Sequence, residues 1–417
     1  MNNNYYTEKT EFYGSTSPRE LLKEYGSPLY VYNEKILRQR CREMANLVTY
    51  PNFKANFSIK ANSNLELLKI VHSEGLYADA MSPGEIYVLL KAGFSPEEIF
   101  YVSNNVSEEE MKFAIERGII TSVDSLSQLR QFGRLNPGGK VAIRFNPGIG
   151  AGHHEKVVTG GKKTKFGVNP EYIDEVKSIL KEYSLKLAGV NQHIGSLFME
   201  PELYIESTKY ILDIAEQFED LDFIDFGGGF GIPYRKQEGQ QRLDLAYLGE
   251  KLDDIMNKWA DKYGKKVFFK TEPGRYIVAE CGVILGTVYS VKQNSGICFA
   301  GTDIGFNVLI RPAMYDSHHD IEVYKDALTT DEEYKPITVV GNICESGDII
   351  AKDRLLPQLE EGDIIGVMDA GAYGYSMSSN YNNRLRPAEV LIRENGTAVL
   401  IRRRDTLEDL LRNYEIK

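Results

Sequence analysis

The hydrophobic pattern divides the chain into two regimes. Between residues 54 and 271, short apolar runs of strand length alternate with stretches whose apolar positions recur every three to four residues. The runs are KANFSI (54–59), LYADA (76–80), IFYVS (99–103), IITSV (119–123), KVAIRF (140–145), LAGVNQH (187–193), DFIDF (222–226) and VFFKT (267–271). The intervening stretches carry helix start signals. One opens with Ser82 as cap, Pro83 at the first helical position and Glu85 three residues after the cap; another opens with Ser107 and three glutamates and closes at Gly118. Strand then helix, repeated eight times at short intervals, predicts a TIM-type (β/α)8 barrel. After Glu280 the rhythm changes to strands separated by polar, turn-rich loops: CGVILGTVYSVK, ICFAGTD, PITVVGNIC, DIIGVMD, AEVLI and TAVLIRRR. This predicts an α/β plus all-β protein, its second domain an antiparallel β-sandwich or barrel-like fold. The early run LYVYN (29–33) is assigned to that second domain, which gives a barrel over 34–280 and a β-rich domain over 1–33 and 281–417.

Composition narrows the picture further. A chain of 417 residues has room for both domains. The apolar runs, such as Val283–Leu285 and Ile337–Val340, are far too short to span a bilayer, and the polar start MNNNYYTEKTEFYG has no secretory pattern. Four scattered cysteines (Cys41, Cys281, Cys298, Cys344) without a CxxC pair argue against a disulfide scaffold or a zinc site, so no metal is expected and a reducing cytoplasm is. A net charge of −11 disfavours nucleic acid or an anionic membrane as partner, while leaving room for a local basic pocket.

In such barrels the chemistry lies where the strands end. Strand one ends at Lys60, strand two holds Asp79 and leads to Ser82, and strand five ends in RFNPG. Strand six ends in QHIGS (His193, Gly195, Ser196), strand seven in GGGFG (Gly227–Gly231), strand eight in EPGR (Glu272–Arg275). A lone lysine at a strand end is commonly a solvated side chain, and a lone glycine turn commonly serves packing. Together they fit a phosphate-bearing aldehyde. Backbone N–H groups of GGGFG and of Gly274–Arg275 form a phosphate cradle, and an amine held neutral forms a Schiff base. Pyridoxal 5′-phosphate (PLP) is the cofactor that needs such a lysine, such a cradle and an acid beside its ring nitrogen, the place that Glu272 fits. The His193 imidazole has a face suited to stacking on the ring.

The ordered motifs FSIKAN, QHIGS, GGGFG, EPGR, LIRPAMYDSHH, CESGD and GAYGYSMSSNYNNRLRPAEVLI run from about Tyr30 to Arg403. Together they resemble the fold-type III PLP-dependent decarboxylases, built like alanine racemase and eukaryotic ornithine decarboxylase, and most of all the branch acting on diaminopimelate. The resemblance implies that Lys60 carries PLP, with Asp79 nearby, His193 over the ring and Glu272 at the pyridine nitrogen. It places Gly228, Gly229, Gly274, Arg275 and Tyr373 around the cofactor, with Ser196 a further candidate. It implies a homodimer with shared active sites, into which CESGD reaches from the second subunit. Cys344 then donates a proton and Glu345 recognises the distal amino group of the substrate. Arg275, Arg311 and Tyr315, with Tyr373, hold the distal carboxylate.

The charges support that substrate class, because a double-headed amino acid needs cations for one carboxylate and an anion for one ammonium. The expected reaction is decarboxylation of meso-2,6-diaminopimelate to L-lysine and CO2. Alternatives are a sister enzyme acting on carboxynorspermidine, ornithine or arginine, and a non-catalytic PLP carrier. A racemase is disfavoured, since those relatives place an arginine where Glu272 stands. Cys41, Cys281 and Cys298 read as core, Trp259 as packing, His318 and His319 as structural. Residues 152–167 read as a polar lid or a solvated loop, and 324–336 as a surface loop.

Overall fold

The computed structural model describes residues 5–146, 148, 151–152, 165–325 and 333–415. It divides into two compact units, one of Arg38–Pro233 with Arg242–Ile277, the other of Met1–Leu37, Tyr234–Gln241 and Val278–Lys417. Most of the stretch read as a lid, 153–164, lies outside the described residues, as does 326–332 within the loop at 324–336.

In the first unit, eight parallel strands among the described residues close into a barrel. They are Phe53–Ser58, Tyr77–Ala80, Ile99–Val102, Ile120–Val123, Lys140–Arg144, Lys186–Asn191, Phe223–Asp225 and Phe268–Thr271. Closure comes from the last on the first, with Phe269 opposite Phe53 and Thr271 opposite Ala55. Helix starts follow the caps: the side chains of Asn64, Ser82, Ser107, Ser125 and Asp244 each accept a backbone N–H of the first turn, worth about 1 kcal/mol apiece. Ser107 and Glu110 form a reciprocal capping box. Glu85 departs from that pattern and accepts instead from the Met81 N–H at 2.6 Å.

Phe100, Val102, Ala142, Ala188 and Phe223 pack inside the barrel. Among them is a cation: the Lys270 ammonium lies 4.2 Å from the Phe223 ring centroid and 5.4 Å from that of Phe100. Burial holds this ammonium below its usual range, with Asp225 and Glu272 pulling the other way.

The second unit corrects the expectation of an antiparallel sheet, because its sheet is mixed. Its strands run in the order Ile349–Pro357, Tyr334–Val340, Ile297–Thr302, Gly282–Asn294, Leu29–Asn33, Ala388–Ile392 and Ala398–Arg402. Leu29–Asn33 is antiparallel to Gly282–Asn294 but parallel to Ala388–Ile392. Ile297–Thr302 is parallel to Tyr334–Val340. Both parallel pairs join segments remote in sequence, where no hairpin dictates direction. Two strands were absent from the sequence pattern, Ile321–Tyr324 and Ile349–Pro357, and Tyr334 onward is strand where a loop was expected. Cys41 and Cys281 are buried, but Cys298 is only half-buried, being on a strand whose outer face is open. Among the described residues no helix is long and apolar enough to cross a membrane.

Candidate active site

The C-terminal ends of the barrel strands gather the candidates of the first unit. Lys60 sits in a single 3-10 turn, Ile59–Ala61, directly after strand one. Ser58, the last residue of that strand, donates its hydroxyl to Asp79 Oδ1 at 2.7 Å and approaches the Glu272 carbonyl at 3.2 Å. This ties strands one, two and eight together beneath the lysine. Asp79 and Glu272 are buried carboxyls, pushed above the ordinary range by desolvation and, for both, by another carboxylate; Lys60 pulls each back down. Glu85 faces the same lysine and is likewise raised by burial. Lys60 therefore stands within electrostatic reach of three acids, whose charged forms it favours.

The GGGFG turn is built by its neighbours. Gly227 N–H donates to Asp225 Oδ1 at 2.8 Å, and the Gly227 carbonyl accepts from Glu272 N–H at 2.9 Å and Tyr204 O–H at 3.0 Å. Gly227 and Gly229 have φ of 78° and 110°, where only glycine is unstrained. A Cβ at Gly228 would lie 2.0 Å from the Glu272 carbonyl oxygen, and one at Gly229 would lie 2.6 Å from the Gly195 carbonyl oxygen. Gly274 is less constrained, its nearest neighbours Ser58 and Ala61 at 3.0 and 3.2 Å. Arg275 donates to Ser196 Oγ at 2.8 Å, which joins the ends of strands six and eight.

Gly228 N–H also donates to His193 Nδ1 at 3.1 Å. Nδ1 is therefore the lone-pair nitrogen and the neutral ring carries its proton on Nε2. Burial, Lys60 and Arg144 hold this imidazole well below its usual range. A neutral ring is the form that stacks on a cationic heterocycle without repulsion.

The second unit holds the remaining candidates. Arg311 and Tyr315 share one short helix, Arg311–Tyr315, the arginine buried and the tyrosine half-buried. Cys344 and Glu345 are exposed on a braced loop. Asp348 accepts N–H groups from Phe306 at 2.6 Å and Ile343 at 2.7 Å; Cys344 N–H donates to Asn382, and Tyr381 O–H to Glu345. Tyr373 has φ of 57°, a costly conformation for a non-glycine residue.

Residues 34–279 match the family described as "Pyridoxal-dependent decarboxylase, pyridoxal binding domain". Diaminopimelate decarboxylase of Methanothermobacter thermautotrophicus is 42% identical over 97% of this chain and 95% of its own length. That of Escherichia coli K12 is 36% identical, over 93% of this chain and 94% of its own. A crystal structure of diaminopimelate decarboxylase from Helicobacter pylori complexed with L-lysine superimposes with a TM-score of 0.87 at 32% identity, covering 95% of this chain and 98% of that one. The chain belongs to the diaminopimelate decarboxylase family of pyridoxal-dependent enzymes.

The residues present fit that family's cofactor. Glu272 Oε1 is buried without a hydrogen-bond partner among the described residues, as the acceptor for a pyridinium N–H would be. Backbone crowds the Cβ positions of Gly227, Gly228 and Gly229, so no side chain fits on the glycine turn. Arg144 stood in the RFNPG motif but was given no role by the sequence. It is 8% exposed at the end of strand five, with Phe166 4.7 Å from its guanidinium, facing Asp124 and Glu272. Its Nη2 has no partner among the described residues. Lys270 and Asp225 were missed too. Strand parity carried the signal for Lys270, which stands two residues before Glu272 and so shares its face.

Proposed function

We propose that this chain removes one carboxyl group of meso-2,6-diaminopimelate as CO2, leaving L-lysine, as a cytoplasmic step of lysine biosynthesis. The observation that carries this reading is the set of acids around Lys60 beside the unbonded Glu272 oxygen and the glycine turn. Bound there, PLP supplies an electrophilic aldehyde and a ring that accepts the electron pair released when CO2 departs.

Each residue has a distinct task. Lys60 Nζ would hold the cofactor covalently, and Glu272 would keep the pyridine nitrogen protonated. The neutral His193 ring would cover one face of the cofactor, with Asp79 set near the lysine. Gly229, Gly274, Arg275, Ser196 and Tyr373 would hold the phosphate, while Gly228, whose N–H is taken by His193, would hold that ring beside the cofactor. Arg275, Arg311, Tyr315 and Tyr373 bind the carboxylate at the end that does not react, and Glu345 pairs with the ammonium beside it. Cys344 Sγ delivers the proton that replaces CO2. Exposure of Cys344 and Glu345 on a braced loop supports their delivery to a second copy, so the working unit is a homodimer with shared sites.

The test is CO2 release from PLP-loaded protein, with meso-diaminopimelate compared against ornithine, arginine and carboxynorspermidine at equal concentration. Strong preference for diaminopimelate supports the reading. Release only from a substrate lacking the distal carboxylate overturns the roles of Arg311 and Glu345, and no release with PLP bound overturns the enzyme.

A further inference from the structure

Arg311 does not stand alone. It is 2% exposed, and its guanidinium carbon lies 4.7 Å from the Tyr234 ring centroid. Its Nη1 is 2.7 Å from His319 Nε2, and its Nη2 donates to Ser317 Oγ at 3.3 Å. The opposite nitrogen of the same imidazole, Nδ1, is 2.7 Å from the Met368 carbonyl oxygen.

These partners decide the tautomer. A carbonyl oxygen only accepts, so Nδ1 carries a proton; a guanidinium only donates, so Nε2 presents its lone pair. His319 is therefore neutral, protonated on Nδ1. The residue is held from further sides as well. Tyr234 packs edge-on at 5.3 Å between centroids, and Arg354 Nη1 donates to the His319 carbonyl at 2.7 Å. The imidazole is 1% exposed.

We infer that His319 is a positioning residue for substrate recognition: as a fixed acceptor it sets the plane of the Arg311 guanidinium. The inference rests on the proposed reading that Arg311 binds the distal carboxylate. It goes beyond that reading by naming what orients the arginine. A planar fork binds carboxylate well only when its plane is fixed, and a long side chain left to rotate loses that advantage. Tyr234 and Ser317 bound the plane on two sides, but the shortest contact to the guanidinium among these is the one to His319.

The experiment compares holoenzyme variants by KM for meso-diaminopimelate, by PLP affinity and by thermal midpoint. His319→Leu removes the acceptor, His319→Gln keeps an acceptor oxygen for Arg311, and Arg311→Met is the reference. His319→Leu should raise KM about tenfold or more with PLP affinity near wild type, and His319→Gln should restore most of it. If Arg311→Met raises KM and His319→Leu does not, the positioning role is wrong while the reading of Arg311 stands. If Arg311→Met leaves KM unchanged, that reading itself fails. If Leu and Gln raise KM equally, or PLP affinity falls in step with KM, the ring serves packing and the inference is overturned.

Discussion

Gly228 is wedged between His193 and Glu272, the two groups proposed to hold the cofactor ring. Its N–H donates to His193 Nδ1 at 3.1 Å, and a Cβ on it would stand 2.0 Å from the Glu272 carbonyl oxygen and 3.5 Å from His193 Cε1. Ordinary contact begins near 3.4 Å, so in Gly228→Ala the turn and the Glu272 backbone must part by about 1.4 Å, the difference between the two distances. Neither can yield freely. Glu272 N–H is bonded to the Gly227 carbonyl at 2.9 Å, and its own carbonyl takes the Ser58 hydroxyl at 3.2 Å. Overpacking of this kind costs about 1–3 kcal/mol, leaving a folded protein with a lowered melting temperature. The functional cost is larger, because a displacement of about 1 Å in groups that position the reacting atoms lowers rates about a hundredfold. Gly228→Ala should therefore lower kcat/KM for CO2 release about a hundredfold and weaken PLP binding, measured by titration of the PLP-free protein. Gly84→Ala is the control: its Cβ would meet only Ser82 Oγ at 3.7 Å, and alanine is the better helix former. If Gly228→Ala retains kcat/KM within about threefold of wild type, the packing of the glycine turn against Glu272 does not govern the site.

Cys344→Ala should bind PLP normally yet turn over about a hundredfold or more slowly, the range expected for loss of a positioned proton donor; near-normal turnover would dismiss the thiol. Mixing Lys60→Ala with Cys344→Ala protein should restore activity to about one quarter of wild type, since half the random dimers then hold one intact shared site; no recovery after verified subunit exchange would mean that each site is built from a single chain. The pH dependence of stability in the PLP-free protein should report Glu272. Its carboxyl is raised by burial above its usual 4.5, so its contribution is full below that value and is lost as pH climbs through the folded one. Wild type should therefore lose stability relative to Glu272→Gln between about pH 5 and pH 9, by at most about 1.4 kcal/mol per pH unit, in urea midpoints. Parallel curves would show that the Glu272 carboxyl titrates alike in the folded and unfolded chain, so that burial does not raise it.

The barrel was legible because each of its signals is local. Short apolar runs bounded by Ser, Asn or Asp caps specify strand, turn and helix without reference to the rest of the chain, and the eight observed strands fall on the eight apolar runs. What escaped the sequence is what depends on distant partners. Ile321–Tyr324 did not read as a strand because Glu322 breaks the apolar run, yet Glu322 is buried and accepts from Thr7 at the far end of the chain. Ile349–Pro357 lost its alternation at Asp353, where φ is 46° and the N–H turns to Thr338 Oγ1. The parallel pairs of the second unit were hidden for the same reason.

The barrel rim shows the same division between local and distant signals. Lys60, His193, Glu272 and the glycine turn stand in short motifs whose residue types announce their chemistry. Arg144, Asp225 and Lys270 lie on inward positions of apolar strands, where hydropathy predicts core and the polar residue looks like noise. A charge buried in a barrel is costly unless it is paired, and each of these is opposed by a charge of the other sign, Arg144 by Asp124 and Lys270 by Asp225. The pairing makes their burial tolerable. Both cations also act on Glu272, lowering a carboxyl that burial and Asp225 raise. The charges that looked out of place on the strands therefore help set the state of the acid proposed to face the cofactor ring, so polar residues that break the apolar pattern at inward strand positions were the signal to follow.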